Sequence, residues 1–229
     1  MNYVTFSLYG KHPKYLVGAI KNAEQIEQFY PGFKAIFYVN HDVPYPCVSE
    51  LRKLGAKVIQ TAGQFPNPMF CRLAAVSRPN ANIVLCRDVD SRFSNREVNA
   101  VQAWINSGKL FHIMRDYPAH VLFPGGLWGW RRPLELKLYQ WAVNWFRDRR
   151  ITTYNKMDDQ RFLEEIVWPK VSDHVLQHDT FSRDKYPGSV PFPDGDVTGD
   201  GDFVGEIFDQ DDRIEQVSRD ARKRGESAG

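Results

Sequence analysis

Two aspartates spaced two residues apart, Asp88 and Asp90 in the stretch IVLCRDVDSR (83–92), are the residues of this sequence best suited to chemistry. They follow Ile83-Val84-Leu85-Cys86, a short, apolar, partly β-branched run after the breaker pair Pro79-Asn80. Such a run reads as a buried strand of a parallel sheet. In an extended chain side chains i and i+2 point the same way, so Asp88 and Asp90 would share one face at the strand's carboxyl end. That end is where open α/β sheets bind ligands. Two like charges this close repel, and burying either alone is costly. A divalent cation relieves both problems. Carboxylate oxygens suit Mg²⁺ or Mn²⁺, and Mg²⁺ takes one or two carboxylates together with substrate phosphates. By itself the pair also fits a strand running out into a solvated turn, so its surroundings must decide.

Four further sites could join it. In PGGLWGWRR (124–132), Gly125 and Gly126 would let a ligand approach the backbone closely, and Trp128 and Trp130 would face one side if the segment is extended. They are either a platform for a sugar face or core. Asp158 and Asp159 begin a helical stretch, where plain capping by negative charge suffices, and where a carboxylate could also be aimed into a cleft. Arg115-Asp116 follows another apolar run in the same way. His178, in VLQHDTF, reads first as structural and second as a ligand.

The elements that must position these residues alternate. YVTFSLYG (3–10) reads as a first strand ending in Gly10, and Pro13 opens a helix with Leu16, Ala19, Ile20, Ala23 and Ile26 at helical spacing. Strands follow at 35–39, 57–60, 83–86 and 110–114. Helices lie between them at 48–55, closed by Gly55, at 69–76, and from the Ser94/Glu97 capping box to Gly108. Residues 125–130 form a loop or strand. An amphipathic helix covers 134–148, and another starts near Asp158 and ends before Pro169. The alternation predicts an α/β fold, a mostly parallel sheet with helices on both faces, with an irregular C-terminal third. We expect one domain over 1–218 and a polar, frayed tail over 219–229.

The 229 residues are 42% hydrophobic and 25% charged with a net charge of +2, which fits a globular protein and gives no basic surplus for nucleic acid. No apolar run is long enough for a transmembrane helix, and the start lacks a signal-peptide pattern. Cys47, Cys71 and Cys86 have no metal-like spacing and read as free thiols of a cytoplasmic protein. No G-x-G-x-x-G, P-loop, G-x-S-x-G or H-E-x-x-H is present. DGDVTGDGDFVGE (194–206) places Gly205 where a calcium loop needs a bidentate Glu, so it reads as an acidic turn, with Asp202 a residue that could face an ion.

In order, these segments resemble small nucleotide-sugar-dependent glycosyltransferases of the GT-A fold, of the kind found in polysaccharide synthesis. The likeness rests on FSLYGKHPKYLVGAIKNA (6–23), MFCRLAAV with IVLCRDVDSR, FHIMRDYPAH…PGGLWGWR (111–131), DDQRFL (158–163), HDTF and FVGEIFD (203–209). The resemblance implies a donor that is a nucleotide-diphosphate sugar, UDP-linked, and a glycan acceptor. It implies Mn²⁺ or Mg²⁺ on Asp88 and Asp90, with His178 as third ligand. Tyr9, Gly10, Tyr15, Arg72, Arg87 and Val89 would join these aspartates around the nucleotide. Arg115, Gly125, Gly126, Trp128 and Trp130 would hold the sugars, and Asp159, Asp158 or Asp116 would be the catalytic carboxylate. Rival readings are a sugar-phosphate nucleotidyltransferase, whose Gly-rich basic loop LYGKHPKY does not supply, a two-metal hydrolase, and a non-catalytic carbohydrate-binding module.

Overall fold

Residues 1–63, 65–118, 120–195, 203–215 and 220 are described by the structure, a computed structural model. β1 (Asn2–Leu8) is followed by α1 (Pro13–Phe29), β2 (Phe33–Asn40), α2 (Tyr45–Lys53) and β3 (Lys57–Thr61). A 3₁₀ helix (Pro68–Ala75) then leads to β4 (Ile83–Cys86), α3 (Asn95–Asn106) and β5 (Phe111–Arg115). β6 (Trp128–Arg131), α4 (Leu138–Asp148) and α5 (Asp158–Phe162) follow, and β7 (Val175–Asp179) and β8 (Ser189–Val190) finish the sheet. The strand order is 3-2-1-4-6-5-7-8. All pairings are parallel except those of β6, which runs antiparallel to both β4 and β5.

Alternation along each strand sorts the side chains into two cores. Val4, Phe6, Leu8, Ile83 and Leu85 pack on one face against Ala19, Ala23, Leu51, Val101 and Trp104 of α1, α2 and α3. Tyr3, Val84 and Cys86 pack on the other against Phe70, Trp145 and Phe162 of the 3₁₀ helix, α4 and α5. Helices therefore cover both faces, as the alternating pattern requires.

Four local expectations are corrected. Residues 134–137 of the 134–148 stretch are not helical, and α4 starts at Leu138. The helix after Asp158 does not stop before Pro169: it passes through a π turn (Leu163–Val167) into α6 (Trp168–Val171). Pro169 is the second residue of α6, directly after that π turn. The Ser94 hydroxyl caps Glu97 N at 3.2 Å, but the Glu97 carboxylate does not complete a capping box; it is taken by Arg87 and Tyr30. Lastly, VLQHD is strand β7, whose buried polar residues hid it from a reading by hydrophobic pattern. Residues 196–202 of the acidic turn 194–206, Asp202 included, lie outside the described residues, as does the tail of 219–229 apart from Asp220.

Candidate active site

The site begins with β1. Thr5 and Ser7 point to the same face, and both hydroxyls bond the 3₁₀ helix: Thr5 Oγ1 donates to Arg72 O (3.2 Å), and Ser7 Oγ donates to Met69 O (3.0 Å) and accepts from Arg72 N (3.1 Å). Arg72 is thereby fixed, with 3% of its side chain exposed. Its guanidinium reaches Asp88 Oδ1 at 2.5 Å, Asp159 Oδ2 at 2.8 Å and Arg87 O at 3.1 Å. One buried arginine thus joins a carboxylate from the end of β4 to one from the start of α5, residues 71 positions apart in sequence.

Gly125 and Gly126 complete the arrangement. Because β6 is antiparallel, with Trp128 opposite Cys86, the loop entering β6 lies beside the loop leaving β4. A Cβ on Gly126 would stand 2.2 Å from Asp88 Oδ2, and one on Gly125 would stand 2.4 Å from Asp159 Oδ2. Neither carboxylate could keep its place over a larger residue.

Asp88 and Asp90 do not share one extended face. The strand ends at Cys86 and the chain turns, so Asp88 faces Arg72 while Asp90 faces α1 and pairs with Lys14 Nζ at 3.1 Å. They remain close enough to interact: burial first, then the charge of Asp88, push the Asp90 carboxyl up from its ordinary value against the pull of Lys14. Burial likewise raises Asp159, with Arg72 pulling the other way. Lys14 also holds Glu215 at 2.8 Å. Val89 turns into the core, and its carbonyl is clamped by Asn22 Nδ2 at 3.1 Å. Asn22 bonds Ser91 O as well, at 3.0 Å. A Cβ on Gly18, one turn earlier, would lie 2.0 Å from Val89 O. The loop bearing the aspartates therefore rests on bare α1 backbone. Asn22, Gly18, Lys14 and Glu215 were missed in the sequence; the G-x-x-x-N spacing on the face of α1 turned to the loop was the available signal.

The tyrosines lie nearby. Tyr9, just past β1, approaches the Tyr154 hydroxyl at 3.3 Å; burial and this hydrogen bond raise its hydroxyl above the ordinary range, with Arg72 opposing. Tyr15 lies beside Lys14, 5.4 Å from ring centre to Nζ; burial first, then the charge of Asp90, push its hydroxyl up. Gly10 takes φ 76°, and its N–H donates to Asp42 at 3.0 Å.

Five expectations are redirected. Arg87 follows the strand alternation onto the face opposite Arg72, where its guanidinium bonds Glu97 at 2.7 Å and the carbonyls of Cys86 and Trp128. Trp128 and Trp130 do share a face, but it is core: they are 0% and 3% exposed, and their indole N–H groups donate to Gly125 O and Leu134 O. Arg115 is buried on Asp179, Gln177 and the Tyr186 ring. Asp116 is buried under a bidentate Arg96, and also accepts from Val204 N and the Thr180 hydroxyl. His178 faces His112 at 2.8 Å, and its ring packs on Phe192. Burial holds both histidines neutral, pushing His178 down to about 4. Its ring lies on the α3 side of the sheet and serves as core. Asp158 is also buried, its Oδ2 without a hydrogen-bond partner among the described residues.

No protein-family model and no curated protein matches the sequence. Solved structures do resemble it in three dimensions. Galactosyltransferase LgtC, solved with donor and acceptor sugar analogs, superposes with a TM-score of 0.51 at 12% identity, covering 78% of this chain and 73% of its own. An active-site mutant of that enzyme gives the same values. A 4-diphosphocytidyl-2C-methyl-D-erythritol synthase from Anaerococcus prevotii reaches a TM-score of 0.45 at 9% identity over 77% of this chain and 89% of its own.

The chain has the GT-A fold. In this fold's terms, the Arg72–Asp88–Asp159 constellation sits at the carboxyl ends of β1 and β4, where the parallel half of the sheet meets the antiparallel β6.

The charge of the site bears on whether a divalent cation fits it. Asp88, Asp90, Asp159 and Glu215 gather around two cations, Arg72 and Lys14, which leaves a surplus of negative charge. A diphosphate meets repulsion there unless a divalent cation accompanies it. Asp88 is 43% exposed, so it can reach a ligand. Among the described residues no three His, Cys, Asp or Glu side chains form a closed cage. Two hard carboxylates with open positions fit an ion that substrate phosphates and water complete, as Mg²⁺ and Mn²⁺ sites commonly are.

Proposed function

We propose that this protein is a divalent-metal-dependent glycosyltransferase that moves a sugar from a nucleotide-diphosphate sugar, UDP-linked, to a hydroxyl of a glycan acceptor. The observation that carries the reading is the single buried guanidinium of Arg72 holding Asp88 and Asp159 against Gly125 and Gly126 at the ligand-binding end of a GT-A sheet.

Asp88 and Asp90 are the residues that would hold the cation. Bound there, it supplies Lewis acidity to the diphosphate leaving group. The chain's own residues do the rest. Arg72 orients Asp88 and neutralises part of the surplus charge. Tyr9 and Tyr15 flank the place for base and ribose. Gly125 and Gly126 offer bare backbone to the sugars. Asp159 keeps one carboxylate oxygen on Arg72 and the other on Gln160 N, so its direction is set before substrate arrives. It is the carboxylate we assign to the reacting sugar. Product anomer, read by NMR, separates its two uses: inversion makes it the base for the acceptor hydroxyl, and retention makes it a positioning group for the donor.

The burial of Trp128 and Trp130 removes the surface on which a carbohydrate-binding module would have relied. Among the described residues no helix is long and apolar enough to cross a membrane. We assign the work to the cytoplasm on the strength of the free thiols, of which Cys71 and Cys86 are buried.

Calorimetric titration of UDP, with Mn²⁺ and with EDTA, tests the reading. Binding that needs Mn²⁺ and disappears in the Asp88→Ala/Asp90→Ala double variant is expected. Absence of binding by UDP and GDP alike would overturn it.

A further inference from the structure

Lys14 stands between two carboxylates that belong to distant parts of the chain. Its ammonium lies 3.1 Å from Asp90 Oδ2 and 2.8 Å from Glu215 Oε1, and 13% of its side chain is exposed. It projects from the first turn of α1, beside Tyr15. Glu215 belongs to the segment 203–215, which is stitched to the aspartate loop. Phe208 N donates to Asp90 O at 2.8 Å, Ser91 pairs with Ile207 in an antiparallel bridge, Arg92 binds Asp212 at 2.7 Å, and Glu215 N returns to Ile207 O at 2.8 Å. Asp88 has its own cation in Arg72. The two carboxylates we assign to the metal are thus each neutralised by a residue of this chain, and the two cations differ in kind. Arg72 is buried and held by its backbone and by three acceptors. Lys14 is a flexible, three-donor point charge at a helix start.

We propose that Lys14 is a displaceable counterion. It holds Asp90 in the metal-free protein, yields it when a divalent cation binds, and turns to the donor's diphosphate while Glu215 keeps it near the site. This inference rests on the glycosyltransferase reading above. Two positive charges cannot share one carboxylate without repulsion, so the cation's arrival releases the ammonium. Glu215, 2.8 Å away on the other side, retains it. The phosphates then bring negative charge within reach of an ammonium already at the site.

The test begins with Mn²⁺ alone, free ion followed by electron paramagnetic resonance, on wild type, Lys14→Met, Lys14→Arg and Glu215→Gln. Lys11→Met, an exposed lysine just before α1, reports general electrostatics. Lys14→Met is expected to bind Mn²⁺ about tenfold more tightly, while Lys11→Met changes less than about twofold, because exposed charges are screened. Lys14→Arg should stay near wild type, and Glu215→Gln should bind more weakly, since Lys14 is then left to Asp90 alone. UDP titrated in saturating Mn²⁺ should bind Lys14→Met about tenfold more weakly, the loss of one charge-assisted contact. Equal Mn²⁺ affinity in wild type and Lys14→Met, or equal gains in Lys14→Met and Lys11→Met, would overturn the counterion role while leaving the glycosyltransferase reading intact. Unchanged UDP affinity in Lys14→Met would overturn the transfer to diphosphate. Wild type that binds none of Mn²⁺, UDP and GDP would overturn both readings together.

Discussion

Arg72 carries three jobs with one guanidinium, so its removal should be felt in folding before it is felt in activity. Arg72→Ala strands Asp159 as a buried, uncompensated carboxylate, and breaking such a pair costs about 3–5 kcal/mol. Urea unfolding at neutral pH should show that loss. Asp159→Asn should behave in the opposite way. The folded protein raises the Asp159 carboxyl, so the charged form opposes folding, and the contribution worsens as pH rises through and above the ordinary value of 3.8. Removing that charge is expected to abolish transfer while leaving the melting temperature at pH 7 unchanged or higher; a large drop would show that the pair with Arg72 outweighs burial. Gly126→Ala reaches the same site from below. Its methyl would lie 2.2 Å from Asp88 Oδ2, so metal-dependent UDP binding should be lost, at a stability cost of about 1–3 kcal/mol. Trp130→Ala should instead cost about 3–5 kcal/mol of folding stability, as a core truncation does, and any acceptor effect should follow from that.

At the scale of elements, α1 does more than cover the sheet. Asn22 donates twice to the loop carrying the aspartates, and Gly18 lets that loop lie on helix backbone. Asn22→Ala removes one buried and one half-buried hydrogen bond, worth about 1–3 kcal/mol together, and leaves two carbonyls of the loop less satisfied. The expected result is UDP affinity weakened by about tenfold or more with α1 still formed by circular dichroism. Wild-type affinity would show that the loop is held by β4 and the C-terminal segment alone. The same packing explains what could be read in advance. Pro13, the apolar spacing of α1, and the run Ile83–Cys86 each report a local periodicity, and each became the element it suggested. β7 escaped because Gln177 and Asp179 pair with Arg115, and His178 with His112, in the interior, a satisfaction that no window of sequence displays.

For the whole molecule, the buried histidine pair sets a pH response. His112 and His178 stay neutral when folded, His178 down to about 4, whereas in the unfolded chain each takes up a proton near 6.5. The unfolded state then binds more protons, so stability falls as pH drops below about 6.5, by up to about 1.4 kcal/mol per pH unit for each histidine, and the His178 contribution levels off at about 4. Urea midpoints measured between pH 7 and pH 5 should show this slope, and His178→Gln should flatten it. An unchanged slope in that variant would assign the acid sensitivity elsewhere. Sequence by itself determined the α/β alternation, because strand and helix periods and breakers are local properties, and it offered Asp88, Asp90 and one of Asp159, Asp158 or Asp116 as carboxylates that could take part. Only the tertiary structure decided which basic and aromatic residues reach them. Antiparallel β6 brings Gly125 and Gly126 under the carboxylates, and alternation along β4 sends Arg87 to the far face while the 3₁₀ helix delivers Arg72. Those outcomes depend on which strands become neighbours and on which face each side chain leaves, and both are settled by packing over the whole chain.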